Sequence, residues 1–139
     1  MTTPRVIGRE DISAAVKSTW QDASRVLIFT NSKVVHSTFE TTEVERAALT
    51  TVFADRETAL KQGLVLGGRR YEVHRFHPPL VYGRTMDGDA ETSTGIAILK
   101  VDSGKYGSPT YALITYEMPN VSARMVQMLA DFGKTCLEG

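Results

Sequence analysis

The sequence predicts an α/β protein of the α+β kind, with one mostly antiparallel central sheet, a helix at each chain end and short helices between. Three observations predict it. The elements run helix, hairpin, helical pair, central hairpin, three further strands, helix, an order that gives a layered antiparallel sheet rather than alternating crossovers. Gly67-Gly68 sits between two alternating runs, Leu64/Leu66 and Tyr71/Val73, where glycine supplies the positive φ angles of a two-residue hairpin turn. Gly95-Ile-Ala-Ile-Leu-Lys-Val101 is apolar on both faces apart from Lys100, so the sheet must be covered on both sides.

Met1 to Arg5 is a short polar lead. From Gly8 to Gln21, Ile12, Ala15, Val16 and Trp20 fall at helical spacing, with Asp11 available as a cap near the start. Val26 to Thr30 and Val34 to Phe39 are rich in β-branched residues and flank Asn31-Ser32-Lys33, the turn of a first hairpin. Glu43 to Phe53 and Arg56 to Leu60 read as helices capped at Thr41 or Thr42, with Leu49, Val52 and Phe53 as their apolar stripe. After the central hairpin, Pro78-Pro79 suits an edge or corner before the strand Leu80 to Arg84. Met86 to Ser93 is a polar, acidic loop and Asp102 to Pro109 a glycine-containing one; Tyr111 to Tyr116 is the last strand. Pro119-Asn120 opens a final helix whose stripe is Val121, Met125, Met128, Leu129 and Phe132, with Gly133 weakening or ending it.

The 139 residues make one domain over 1–139, able to bury roughly two-thirds of the unfolded surface without disulfides or metals. Lys+Arg and Asp+Glu balance at 16 each, so nothing draws the whole molecule to nucleic acid, and an anionic partner needs a local cluster. A single cysteine, Cys136, and the lack of a signal peptide or long apolar run point to a cytoplasmic setting. Asn120-Val121-Ser122 matches a glycosylation sequon but reads as a helix start.

Gly63-Leu-Val-Leu-Gly-Gly-Arg-Arg-Tyr-Glu-Val-His-Arg75 resembles the central hairpin of profilins. Thr94-Gly95 leading into the strand that ends near Lys100, and Met128-Leu-Ala-Asp-Phe132, extend the resemblance, and the N-terminal third agrees in layout. The resemblance implies terminal helices packed together on one face of the sheet and the middle helices on the other. It implies binding of monomeric actin, and so control of polymerisation and association with the cytoskeleton, through a sheet edge and the last helix. Arg70, Arg75, Arg84 and Arg124 match basic positions of that face, and arginine's planar fork suits carboxylates there. Strict alternation, however, puts positions 70 and 75 on opposite faces.

Profilins also hold proline-rich segments on an aromatic floor between the terminal helices, rings being matched to the faces of a polyproline helix. Phe132 matches one such position but has no polar handle, and Ile12 and Ala15 supply aliphatics where helix one should face the floor. Proline-rich binding is therefore expected to be weak or altered, with Trp20 as a packing residue. The family's third partner, anionic phospholipid and phosphoinositide in particular, would be drawn by Arg69, Arg70 and Arg75, extended by Arg84 or Lys100.

No catalytic or cofactor motif is present. His74 and His77 lie at a strand end with no cysteine nearby, Asp87, Asp89 and Glu91 lack the spacing of a calcium loop, and Cys136 has no activating neighbour in sequence. The expectation is a monomeric binding protein without metal or cofactor. Two alternatives stand beside it: a profilin-like lipid or protein adaptor that has lost actin, and an unrelated α/β sensory or scaffold domain, which a sizeable pocket with convergent polar groups would favour.

Overall fold

The computed structural model describes residues 9–85, 93–107 and 109–139. The lead at residues 1–5 and residues 86–92 of the acidic loop, with Asp87, Asp89 and Glu91, lie outside them. Along the chain come α1 (Arg9–Thr19), β1 (Arg25–Thr30), β2 (Val34–Ser37), α2 (Glu43–Thr51), α3 (Arg56–Gln62), β3 (Leu64–Leu66), β4 (Arg69–His77), β5 (Leu80–Arg84), β6 (Thr94–Val101), β7 (Thr110–Glu117) and α4 (Ser122–Phe132). A π-helical turn, Gly133–Leu137, continues α4.

The strands form one sheet in the order β2-β1-β7-β6-β5-β4-β3, every neighbouring pair antiparallel. Side chains alternate across it, so each strand supplies both layers. On one face Ile12 and Val16 of α1 and Met125, Leu129 and Phe132 of α4 pack over Val26, Ile28, Ala97, Leu99, Ala112 and Ile114. On the other, Leu49 and Val52 at α2 and Ala59 of α3 pack over Leu27, Phe29, Ile96, Ile98 and Leu113. The terminal helices thus share one face and the middle helices the other, the α+β layout expected from the sequence.

Local chemistry sets the boundaries. Thr42, rather than Thr41, caps α2 in a reciprocal capping box with Glu45, and Asp55 caps α3 through the Thr58 N–H. α1 is already helical at Arg9, so Asp11 lies inside the helix rather than before it. Strand β2 stops at Ser37, earlier than Phe39, since the Ser37 hydroxyl bonds the Phe39 N–H and carbonyl and closes a local turn. Gly67 and Gly68 take φ of 61° and 78° at the tip of the β3–β4 hairpin, as a two-residue turn requires. Gly133 does not end the last helix. It ends the α form only, and its missing side chain lets the backbone lie on Leu99, whose Cδ2 would stand 2.4 Å from an added Cβ.

Two register shifts break strict alternation. One lies between Ile28 and Phe29, where Phe29 pairs with Val34 although Ile28 pairs with His36. The other lies between Val73 and Arg75 of β4: Val73 faces Gly83, Arg75 faces Tyr82, and His74 is the extra residue.

Two outcomes test this packing. Leu113 is fully buried between the strands and the middle helices, so Leu113→Ala should lower unfolding stability by about 3 kcal/mol in urea titration, with little change in slope. His36 on β2 bonds Ser13 of α1 at 3.2 Å, and burial first and Lys17 second hold its pKa below the ordinary 6.5. The unfolded chain therefore takes up a proton before the folded one, so stability is full above pH 6.5 and falls as the pH drops below it, levelling off once the folded-state value is passed. Urea unfolding of His36→Gln across that range should show a shallower pH slope; an unchanged slope would assign the effect elsewhere.

Candidate functional site

The bulge at His74 decides what the outer strands present. Directly opposed residues in an antiparallel pair share a face. Arg70 opposes Val65, Glu72 opposes Arg84, Arg75 opposes Tyr82 and His77 opposes Leu80. Further in, Arg84 opposes Gly95 and Tyr82 opposes Ala97, which lies on the terminal-helix face. Arg70, Glu72, Arg75, His77, Tyr82 and Arg84 therefore all belong to the face that α1 and α4 cover elsewhere. Positions 70 and 75, expected on opposite faces, are brought to one face by the single extra residue between them. Tyr82 is half-buried against the edge of the core, whereas Arg75 and His77 are exposed, so this part of the sheet forms an open ledge beside α4.

The four arginines differ in what they do. Arg70 donates through Nε to Glu72 at 2.9 Å and through its amino groups to the carbonyls of Lys61 and Gln62 at 3.1 and 2.8 Å. It thus closes the C-terminus of α3, where unpaired carbonyls favour a cation. This hydrogen bond to Arg70 also holds the Glu72 carboxyl below its usual range. Arg84 donates to the hydroxyl and carbonyl of Ser93 at 2.9 and 3.2 Å. Arg124 points away from the ledge, to Asp22 in the α1–β1 connection at 2.6 Å and to Asn120 at 3.0 Å. Arg75 makes no hydrogen bond or ion pair among the described residues, so its charge is the one left to solvent on the ledge.

The residues expected to attract lipid do not form one patch. Arg69 opposes Leu66 on the middle-helix face, where it lies 5.9 Å from the Tyr71 ring centre and donates to Thr94 at 3.4 Å. Lys100 opposes Tyr111 on that same face, over Phe53 at 6.0 Å and 3.9 Å from Asp102. Arg70 and Arg75 are on the other side of the sheet.

Ile12 and Phe132, the expected floor for proline-rich segments, are core residues, Ile12 fully buried and Phe132 3% exposed. The Phe132 ring stands edge-on to Trp20, with centres 5.6 Å apart, so its face is spent on packing. Trp20 is buried, and its indole N–H has no hydrogen-bond partner among the described residues. Tyr116, which alternation alone does not single out, joins the core to the ledge. Its ring lies over Gly95, its hydroxyl donates to Ser122 at 2.8 Å, and burial pushes its pKa up.

No group of three or more potential metal ligands occurs among the described residues, and no described helix is long and apolar enough to cross a membrane. A groove of about 740 Å³ runs past Pro78, Pro79, Leu80 and Lys134 at the far end of β5 and β6, and a cleft of about 410 Å³ lies on the middle-helix face between α2 and the β1–β2 turn.

The contrast between Arg70 and Arg75 gives a stability test. Arg70→Ala should cost about 1 kcal/mol in chemical denaturation, allowing for solvent screening of an exposed pair, through loss of the α3 cap as well as of Glu72. Arg75→Ala should stay within about 0.5 kcal/mol of the parent.

No family model matches the sequence, and no curated protein matches it. Solved structures do. The chain is similar to Schizosaccharomyces pombe profilin at 18% identity and a TM-score of 0.68, over 87% of this chain and 94% of that one. Acanthamoeba castellanii profilin II gives 16% identity and 0.68, over 87% and 92%, and profilin IB of the same organism gives 14% and 0.65, over 86% of each. At these identities the likeness establishes the fold, and the chain is folded as a profilin.

Proposed function

We propose that the protein binds monomeric actin on the open ledge of β4 and β5 beside α4 and thereby regulates polymerisation, acting by binding rather than by catalysis. The observation that carries this reading is the bulge at His74, which sets Arg75, exposed and without an ion pair among the described residues, on the same face as Tyr82 and the neighbouring last helix. A free guanidinium beside a half-buried tyrosine is the composition of a protein-contact centre, because arginine and tyrosine contribute most where they can be desolvated together. Arg84 braces the ledge through Ser93 and Arg70 through the end of α3, whereas Arg124, turned to Asp22, takes no part in it. A cytoplasmic, cytoskeleton-associated protein follows from this partner.

Proline-rich segments bind weakly on this reading, because Ile12 and Phe132 are committed to the core. Attraction to anionic lipid is likewise transient, because Arg69 and Lys100 lie on the face opposite Arg70 and Arg75. One observation favours the adaptor reading: three of the four arginines, Arg70, Arg84 and Arg124, already have intramolecular partners. An actin face would then rest largely on Arg75.

Calorimetric titration with monomeric actin at low and physiological salt decides between them. Arg75→Glu should weaken binding about tenfold or more and leave thermal stability unchanged. Arg70→Glu is a poor control, since it removes the α3 cap and sets two acids side by side. Absence of binding by the folded parent would transfer the function to the adaptor.

A further inference from the structure

We propose that Gly83 of β5 is the positioning residue of the ledge: its missing side chain makes the room into which the bulged β4 backbone folds, and so holds Arg75 on the face that carries Tyr82. What Arg75 then meets rests on the actin reading; where it stands is a matter of strand register alone.

The bulge has a cause on one strand and a condition on the other. Tyr71 and Val73 are buried under the middle helices, and Phe76 packs against the same cluster. Residues three apart cannot share a face of a regular strand, so Val73 and Phe76 both reach that layer only if one residue between them goes unpaired. His74 is that residue, and Arg75 is carried to the opposite face, across from Tyr82.

The condition lies at Gly83, which stands between Val73 of β4 and Ile96 of β6. Both of those neighbours are buried in the layer beneath the middle helices, so a side chain at 83 would point into it as well. Its place is taken by β4. A Cβ added at Gly83 would overlap the Glu72 carbonyl oxygen and stand 2.8 Å from the carbonyl carbon and 3.0 Å from the Val73 Cα. At Gly95 and Gly133 the same atom would meet side chains, those of Tyr116 and Leu99. At Gly83 it meets the backbone of the neighbouring strand, which no change of rotamer can clear. Gly83 is not among the glycines with positive φ, so the position requires space and not a left-handed backbone. The glycine never touches Arg75 in this scheme; it acts on it through the register of β4 against β5.

The test compares Gly83→Ala, deletion of His74 and the two combined, each in the full chain. Deleting His74 makes Val73 and Arg75 neighbours opposite Gly83 and Tyr82, so the ladder becomes regular, Arg75 keeps its face and room for a Cβ at 83 returns. Cross-strand nuclear Overhauser contacts read the register directly. The Arg75–Tyr82 contact should be present in the parent, lost in Gly83→Ala, and present again in the combined variant, whose urea midpoint should lie above that of Gly83→Ala. Titration with monomeric actin should follow the contact, Gly83→Ala binding about tenfold or more weakly than the combined variant. Should Gly83→Ala not fold, recovery of a folded chain on deleting His74 supports the proposal equally. An Arg75–Tyr82 contact that survives in Gly83→Ala, or a loss of stability from Gly83→Ala that is no smaller without His74, would overturn it. Contacts that follow the expected pattern while actin binding is absent or unchanged throughout would uphold the role of Gly83 and overturn the actin reading.

Discussion

The pairing of β6 with β7 is the constraint from which the remaining architecture follows. The two strands pair over eight residues each, and every one of those residues except Lys100 and Glu117 is buried. A strand pair apolar on both faces cannot stop at one layer of helices, because either face left to water would lose the larger part of its hydrophobic stabilisation. The terminal helices settle on one side and α2 and α3 on the other, each amphipathic stripe finding its half of the same strands. Strands β5 and β4 lie beyond this doubly covered centre. On the terminal-helix face only the edge of α4 reaches them, and charged side chains can be accommodated there without desolvation.

Much of this was legible in the chain. The strand apolar on both faces announced a covered sheet, Gly67-Gly68 announced the hairpin, and the stripe of Val121, Met125, Met128, Leu129 and Phe132 announced the face α4 buries, although Val121 precedes the helix and stands exposed and Met128 is only half-buried. What could not be read was phase. Alternation counts residues, whereas a bulge is a property of two strands together: His74 becomes an extra residue only because Val73 pairs with Gly83 and Arg75 with Tyr82. An exposed polar residue at that position gives no local sign of it. One unpaired residue is enough to move Arg75 from the middle-helix face to the ledge.

Side-chain commitments were illegible for a related reason. Arginine as a residue type marks a site for planar recognition of oxygen atoms, but the sequence does not say whose oxygens. Arg70 found the carbonyls ending α3, Arg124 found Asp22 about a hundred positions away, and Arg84 found Ser93. Phe132 shows the same limit for apolar residues. It keeps the spacing of a binding-floor aromatic, yet Trp20 packs against it and turns it into core. By contrast Arg46 and Lys33 carry no motif, and only the fold sets them around one cleft.

That cleft and the open ledge are separated by the strands that make the fold stable. Between β1, which leads into the Lys33 turn, and β4, which carries Arg75, stand β7, β6 and β5, so cleft and ledge are four strand spacings, roughly 19 Å, apart as well as on opposite faces. Of the intervening strands, β6 and β7 are buried over almost their whole length and β5 on the middle-helix face alone; coupling between distant sites requires an element with two arrangements. The sheet is thus a partition between the cleft at the β1–β2 turn and the open ledge of β4 and β5, and the two surfaces share no residue.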